Sequence, residues 1–293
     1  GGIAMLAGFV FMISISGGAD FKTILASGDL LRNSPLYPVL FTLVVFGAFT
    51  KSAQFPAHIW LPEAMSAPTP ASAFLHSATM VKAGIYLLAR LHPALGGTDL
   101  WFWTLSLFGL ATMLIGAYLG AKQNDLKSLL AYSTVSQLGV LVALIGQNSE
   151  IAFKALVIGI LAHALYKSAL FMSAGIIDHE TGTRDLRTLG GLRKQMPILF
   201  VIVGIAALSM GGLPPLFGFL AGKPADRKHA PHGHAPKWGF WLAPALPPCF
   251  RCWWGSHRWN RNLLRLSSPM PPKPPLARRS RSRSRCGRAS TCR

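Results

Sequence analysis

KSAQFPAHIWLPEAMSAPTPASAFLHSATMVKAGIYLLARLHP, residues 51–93, is the stretch whose reading decides the fold. It opens on a lysine that interrupts an apolar run, breaks at Pro56 and Pro62, and turns through Ala67-Pro68-Thr69-Pro70. It then enters a second apolar run that carries His76 and Lys82. Proline removes a helical donor and clashes with the preceding turn, so two of them within seven residues end one helix before the next begins.

Working outward, the same alternation of long apolar runs and short polar joints continues in both directions. A helix needs about 20 mostly apolar residues to cross a bilayer. Seven stretches approach that length: 1–18, 36–55, 71–92, 101–121, 128–147, 151–176 and 196–222. A soluble helical core of this size lacks the polar surface to cover so many apolar runs. Trp101 and Trp103 open the fourth run, where amphipathic rings suit the headgroup layer. The expectation is an all-α polytopic membrane protein with about seven transmembrane helices. Two of them, 36–55 and 196–222, are expected to be discontinuous. The second is interrupted by Gly211, Gly212, Pro214 and Pro215, as the first is by Pro56 and Pro62. Loop charge sets the orientation: Lys22, Arg32 and Arg90 fall on one side, and Lys122, Lys127, Arg184, Arg187, Arg193 and Lys194 on the other. The second side is therefore expected to be cytoplasmic.

Composition changes abruptly near Gly222. Residues 1–222 hold 13 Lys/Arg and 9 Asp/Glu, whereas residues 223–293 hold 16 and 1, with all four cysteines and 11 of the 21 prolines. The expected domains are thus a membrane domain over 1–222 and a basic Pro/Arg/Ser-rich tail over 223–293. That tail has no periodicity with which to build a core, the composition of a disordered arm or of coding sequence read out of frame. Cys249 and Cys252 form a lone C-x-x-C without a second pair at zinc-finger spacing, and no metal site is expected from it. The first 222 residues contain no cysteine, hence no disulfide, thiolate metal site or cysteine nucleophile. With Gly1-Gly2-Ile3 starting inside an apolar run, the chain reads as an internal piece of a longer one.

Ionisable groups at membrane depth are expensive, and they mark ion and proton pathways. Lys51 stands well along its run. Pro56 is expected to deprive the Ser52 carbonyl of its helical partner. Lys82 lies near the middle of 71–92, too far from either end to reach the headgroups, at an insertion cost of about 2.5–3.5 kcal/mol. At six residues' separation on one helix, His76 and Lys82 would point about 600° apart, to different faces. His163 and Lys167 are four apart and share a face. Lys154, three residues into its run, is expected to snorkel to the headgroups. No Asp or Glu lies within the seven runs, so Lys51, Lys82, Lys167 and the two imidazoles lack an internal counter-charge. Either these groups are neutral or a carboxylate is supplied by another segment or subunit.

The blocks at 51–90, 124–139 (NDLKSLLAYSTVSQLG), 162–192 (AHALYKSALFMSAGIIDHETGTRDLRTLGGL) and 207–220 (ALSMGGLPPLFGFL) resemble the antiporter-like family shared by Mrp-type cation/proton antiporters and respiratory complex I. DHETGTRD, with the LGGLRKQMP after it, most resembles the large A-type component of Mrp antiporters. The resemblance implies an inverted-repeat fold and protons moving along mid-membrane lysines and histidines. By position it makes Lys51 the lysine of the first half-channel, His76 the connecting histidine, and Lys167 the link to the second half-channel. It places His163 one turn before that link. Lys82 joins the relay on its own burial. Gly159 stands where complex I homologues often carry a further histidine. The family's glutamate partner for Lys51 would lie before Gly1. Its exit-side lysine or acid follows the second broken helix, a role not assigned to Lys223.

The leading expectation is therefore an ion-transporter subunit, not an enzyme, exchanging Na⁺ or K⁺ for H⁺ within a multisubunit complex of the bacterial inner membrane. Its partners would be the other subunits, the ions and the lipid bilayer. No cofactor is expected, since no flavin, iron–sulfur or nicotinamide motif is present. The alternatives are a proton-pumping membrane subunit of complex I, and a membrane-anchored protein binding nucleic acid through its tail. No nucleic acid is expected under the leading reading.

Overall fold

The computed structural model describes residues 1–77, 79–213 and 216. Pro214, Pro215, Lys223 and the tail over 223–293 lie outside the described residues.

Among the described residues every element is helical: α1 (Gly2–Ser16), α2 (Phe21–Ala26), α3 (Gly28–Arg32), α4 (Tyr37–Lys51), α5 (Trp60–Glu63), a 3₁₀ turn (Ala64–Ser66), α6 (Thr69–Ser77), α7 (Met80–Leu95), α8 (Asp99–Ala121), α9 (Leu126–Gly146), α10 (Glu150–Thr181), α11 (Leu192–Gln195) and α12 (Pro197–Met210). Three of them, α8, α9 and α10, are long and apolar enough to cross a bilayer on their own. The runs expected at 1–18, 36–55 and 196–222 hold the shorter apolar helices α1, α4 and α12.

Local sequence explains the boundaries. Thr98 caps α8 by accepting from the Trp101 amide at 3.2 Å, and Asp125 caps α9 by accepting from the Ser128 amide at 2.8 Å. Pro38 and Pro197 sit in the first turns of α4 and α12, where a missing N–H costs nothing. α10 ends at Gly182, whose φ of 68° a side chain would oppose. It runs past the expected 176, so Asp178 and Glu180 form part of its last turn.

The outward faces are as apolar as the interior: Val39, Phe46, Leu107, Leu114, Val157, Leu165 and Ile198 are all exposed. That is the pattern a lipid solvent demands. Lipid tails supply no hydrophobic force between helices, so association rests on close backbone approach through small residues. The α8–α9 seam shows it. A Cβ on Gly139 would meet Gly109 O and Met113 N, both at 2.6 Å, and one on Gly109 would meet Ala143 N and Gly139 O at 2.7 Å.

Two apolar clusters result. One unites α4, α7, α8 and α9 through residues such as Phe41, Val44, Ile85, Leu88, Trp101 and Leu138. The other unites α6, α9, α10 and α12 through Ala73, Leu130, Tyr166, Phe171 and Ala206.

Candidate functional site

α4 ends at Lys51 itself, which is half-buried and lies at the helix terminus rather than within a continuing helix. Ala53 takes a left-handed φ of 47° and turns the chain before Pro56 is reached. The Ser52 carbonyl is not left open, as the position of Pro56 suggests, because the Gln54 side-chain amide donates to it at 3.0 Å. The Thr50 carbonyl accepts from the Trp60 indole at 3.0 Å, and the Phe55 amide donates to Thr112 Oγ1 on α8 at 2.9 Å. Side chains have thus replaced the helical ladder. Ser52 Oγ, Gln54 Oε1 and His58 Nδ1 are buried here without a hydrogen-bond partner among the described residues. Pro62 is the third residue of the short α5, within a first turn where its missing N–H forgoes no helical bond.

His76 and Lys82 do not share a helix. α6 closes at Ser77 and α7 opens at Met80, with Thr79 at φ −123°, ψ −81° between them. Two hydroxyls compete for the carbonyls that a continuous helix would use. Ser77 Oγ donates to Ala73 O at 2.5 Å, and Thr79 Oγ1 donates to Phe74 O at 3.3 Å. The relation of 600° on one cylinder therefore does not apply. α6 packs on α10, where Gly175 meets Thr69, whereas Gly84 lets α7 close on Ala48 and Ser52 at the end of α4.

From separate helices, the two groups meet α10 at different levels. The Lys82 ammonium donates to the Ile160 carbonyl at 3.0 Å. His163 follows one turn later, 1% exposed, with its ring edge-on to Tyr166 at 5.6 Å between centroids. Lys167, wholly buried, is one further turn along and donates to α9, to Leu130 O at 3.1 Å and Ser133 Oγ at 2.5 Å. The His76 ring lies against Phe171, 4.8 Å between centroids, one turn beyond Lys167. From Ile160 to Phe171 is about 16 Å of helix at 1.5 Å per residue. His163 lies within Coulombic reach of Lys167, Lys82 and His76, and His76 within that of Lys167. Four basic groups from three helices are thus arrayed along one face of α10. Both ring nitrogens of His76 and of His163 lack a hydrogen-bond partner among the described residues.

Lys51 belongs to the break after α4, not to that array. Gly211 and Gly212 follow the last residue of α12, with Gly212 at φ 68°. Lys154 pairs with Glu150 at 2.7 Å on the exposed start of α10.

Lys127, by sequence one of the loop charges, is instead the second residue of α9. Its side chain is only 5% exposed and faces Asp178 of α10 at 3.7 Å. Arg184 bridges Asp125 at 3.5 Å and Asp178 at 3.9 Å, and Asp125 and Asp185 form an antiparallel backbone bridge. The loop after α10 is therefore pinned to the loop before α9. NDLK carries no signal of this by itself, since the partner is 51 residues away in sequence.

A family model described as NADH:quinone oxidoreductase/Mrp antiporter, TM, matches residues 1–223. The probable K⁺/H⁺ antiporter A/B subunit of Rhizobium meliloti is 54% identical over 221 residues, covering 75% of this chain and 22% of that protein. The Na⁺/H⁺ antiporter A subunit of Alkalihalophilus pseudofirmus is 51% identical over 235 residues, 75% of this chain and 29% of its own length. The chain thus spans about a quarter of these relatives. Among solved structures, the Mrp complex from Dietzia sp. matches with a TM-score of 0.73 and 44% identity, over 84% of this chain and 27% of that one. The membrane-bound sulfane sulfur reductase, an archaeal respiratory membrane complex, matches with a TM-score of 0.71 at 22% identity, over 85% of this chain and 52% of that one, a likeness of fold alone.

Proposed function

The chain belongs to the NADH:quinone oxidoreductase/Mrp antiporter transmembrane family, and on that premise we propose that it is part of the large A-type component of a multisubunit monovalent cation/proton antiporter. The observation that carries this reading is the array along α10. Lys82, His163, Lys167 and His76 converge there from three helices in a buried apolar setting, the two ammonium groups held by carbonyls and a hydroxyl and the two imidazoles packed on aromatic rings. Buried amines and imidazoles bind and release protons without covalent chemistry, and spacing of about one helical turn between levels suits stepwise transfer. Lys51, at the broken end of α4, supplies the group on the other side of α7. Relatives about half identical to this chain and named as antiporter components favour exchange over a complex I-type pump.

The finer features of this reading follow the family. They are about seven spans, two of them discontinuous, drawn from an inverted-repeat fold, and a membrane domain over 1–222 with a separate tail. The setting is a bacterial inner membrane with lipid and other antiporter subunits as neighbours. The exchanged ion is Na⁺ or K⁺, and the names of the relatives include both.

The test is exchange in everted membrane vesicles from cells making the whole complex, read as cation-induced collapse of a proton gradient. Lys82→Ala and Lys167→Ala should each abolish exchange while the protein remains in the membrane. Full exchange by either variant sinks the relay, and comparing Na⁺ with K⁺ in the same vesicles assigns the ion.

A further inference from the structure

Lys167 is wholly buried, and its ammonium donates to two acceptors on α9. The two acceptors are unlike. Leu130 O is a carbonyl, able only to accept. Ser133 Oγ is a hydroxyl, and its proton is directed to that same Leu130 O at 2.9 Å, leaving its lone pairs toward Lys167. Thr134 Oγ1 also donates to Leu130 O, again at 2.9 Å. The carbonyl is therefore oversupplied with donors, and Ser133 can turn its proton away without leaving Leu130 O bare.

That redundancy matters when Lys167 changes charge. The ammonium offers three donors and asks only for acceptors, whereas the neutral amine carries a lone pair that needs a donor. Leu130 O serves the first state alone. A rotating Ser133 hydroxyl serves both, accepting from the ammonium and donating to the amine. We propose that Ser133 is a positioning residue that holds Lys167 in both protonation states by hydroxyl rotation, and so sets the pH range over which the relay turns over.

Several charged and titratable groups among the described residues neighbour Lys167. His163 is one turn back on α10 and His76 comes from α6. Lys82, on α7, lies beyond His163. On α9, Lys127 is two turns toward the loop, paired with Asp178. α12 contributes no ionisable side chain. Ser133 is a polar side chain on α9 that touches the ammonium directly.

The inference rests on Lys167 belonging to the relay, and the experiment separates the two. In vesicles carrying the whole complex, exchange is measured across pH for Ser133→Thr and Ser133→Val, a matched pair that differs in the hydroxyl. Ser136→Ala is the control, because Ser136 is a buried α9 hydroxyl that donates to Met113 O on the α8 side. The hydroxyl's bond to a charged donor is stronger than its bond to a neutral one. Its loss should therefore move the alkaline limb of the profile to lower pH by about one unit, a tenfold change in proton affinity. Ser133→Thr and Ser136→Ala should keep the parental profile. Coincident profiles for Ser133→Thr and Ser133→Val, with Lys167→Ala inactive, overturn the role of Ser133 alone. Normal exchange by Lys167→Ala overturns the relay and this inference together.

Discussion

Asp178→Ala should destabilise the protein far more than Lys127→Met, although the two remove the same ion pair. The reason is where each charge is left. Lys127 is 5% exposed and Asp178 34% exposed, so only the lysine depends wholly on its partner. At 3.7 Å two unit charges attract by about 4–5 kcal/mol at the effective dielectric near a protein surface. Solvent reaches Asp178, and Arg184 shares its carboxylate at 3.9 Å, which lowers the net loss on removing it to about 2–3 kcal/mol. Lys127→Met removes the buried charge and keeps its volume, while Asp178 retains Arg184 and solvent, so the cost is about 1 kcal/mol or less. The double variant should resemble Lys127→Met, giving a coupling of about 2 kcal/mol. The measurement is reversible unfolding in mixed detergent micelles followed by far-ultraviolet circular dichroism. Equal costs for the two single variants, or a double variant equal to their sum, would refute the burial asymmetry.

Three other outcomes follow from the same geometry. Gly139→Ala at the α8–α9 seam meets backbone at 2.6 Å on two sides, with no flexible side chain to give way, and should cost about 1–3 kcal/mol in the same unfolding assay. Thr112→Val leaves the Phe55 amide without its acceptor and should cost about 1–3 kcal/mol, with faster amide exchange at Phe55 as the local readout. Lys154→Ala breaks an exposed pair only, and its midpoint should stay within about 0.5 kcal/mol of the parent.

Much of the helical order is legible in the sequence because span length is a crude and strong signal. The apolar runs that hold α8, α9 and α10 are bounded by charged or capping residues such as Asp99, Asp125 and Glu150. The end of α4 near the prolines is legible as a place but not in detail. Pro56 draws the eye, yet the chain turns at Ala53, and Gln54 takes up the carbonyl whose loss Pro56 suggests. The division between α6 and α7 carries neither proline nor glycine. The hydroxyls of Ser77 and Thr79 take carbonyls of α6 at that division, yet mid-helix hydroxyls elsewhere, such as Thr134, bond back in the same way without ending a helix. Lys127 reads as a loop charge because its burial depends on a distant aspartate. Ser133 and Ser136 are alike in sequence, one turn apart, but one holds a lysine of α10 and the other a carbonyl of α8. Choices of that kind belong to tertiary packing and leave no local trace.

The division at 77–79 alters what fixes the spacing between His76 and Lys82. On a continuous helix six residues rise by about 9 Å, a rigid ruler that no packing change could shorten. Here one group is anchored with α6 to α10 and the other with α7 to the end of α4, so each answers to a different apolar cluster. Their separation is therefore set by where each side chain seats on α10, Lys82 at Ile160 O and His76 against Phe171. The joint lets each group reach its own level of α10 from its own helix, which one continuous cylinder would not allow.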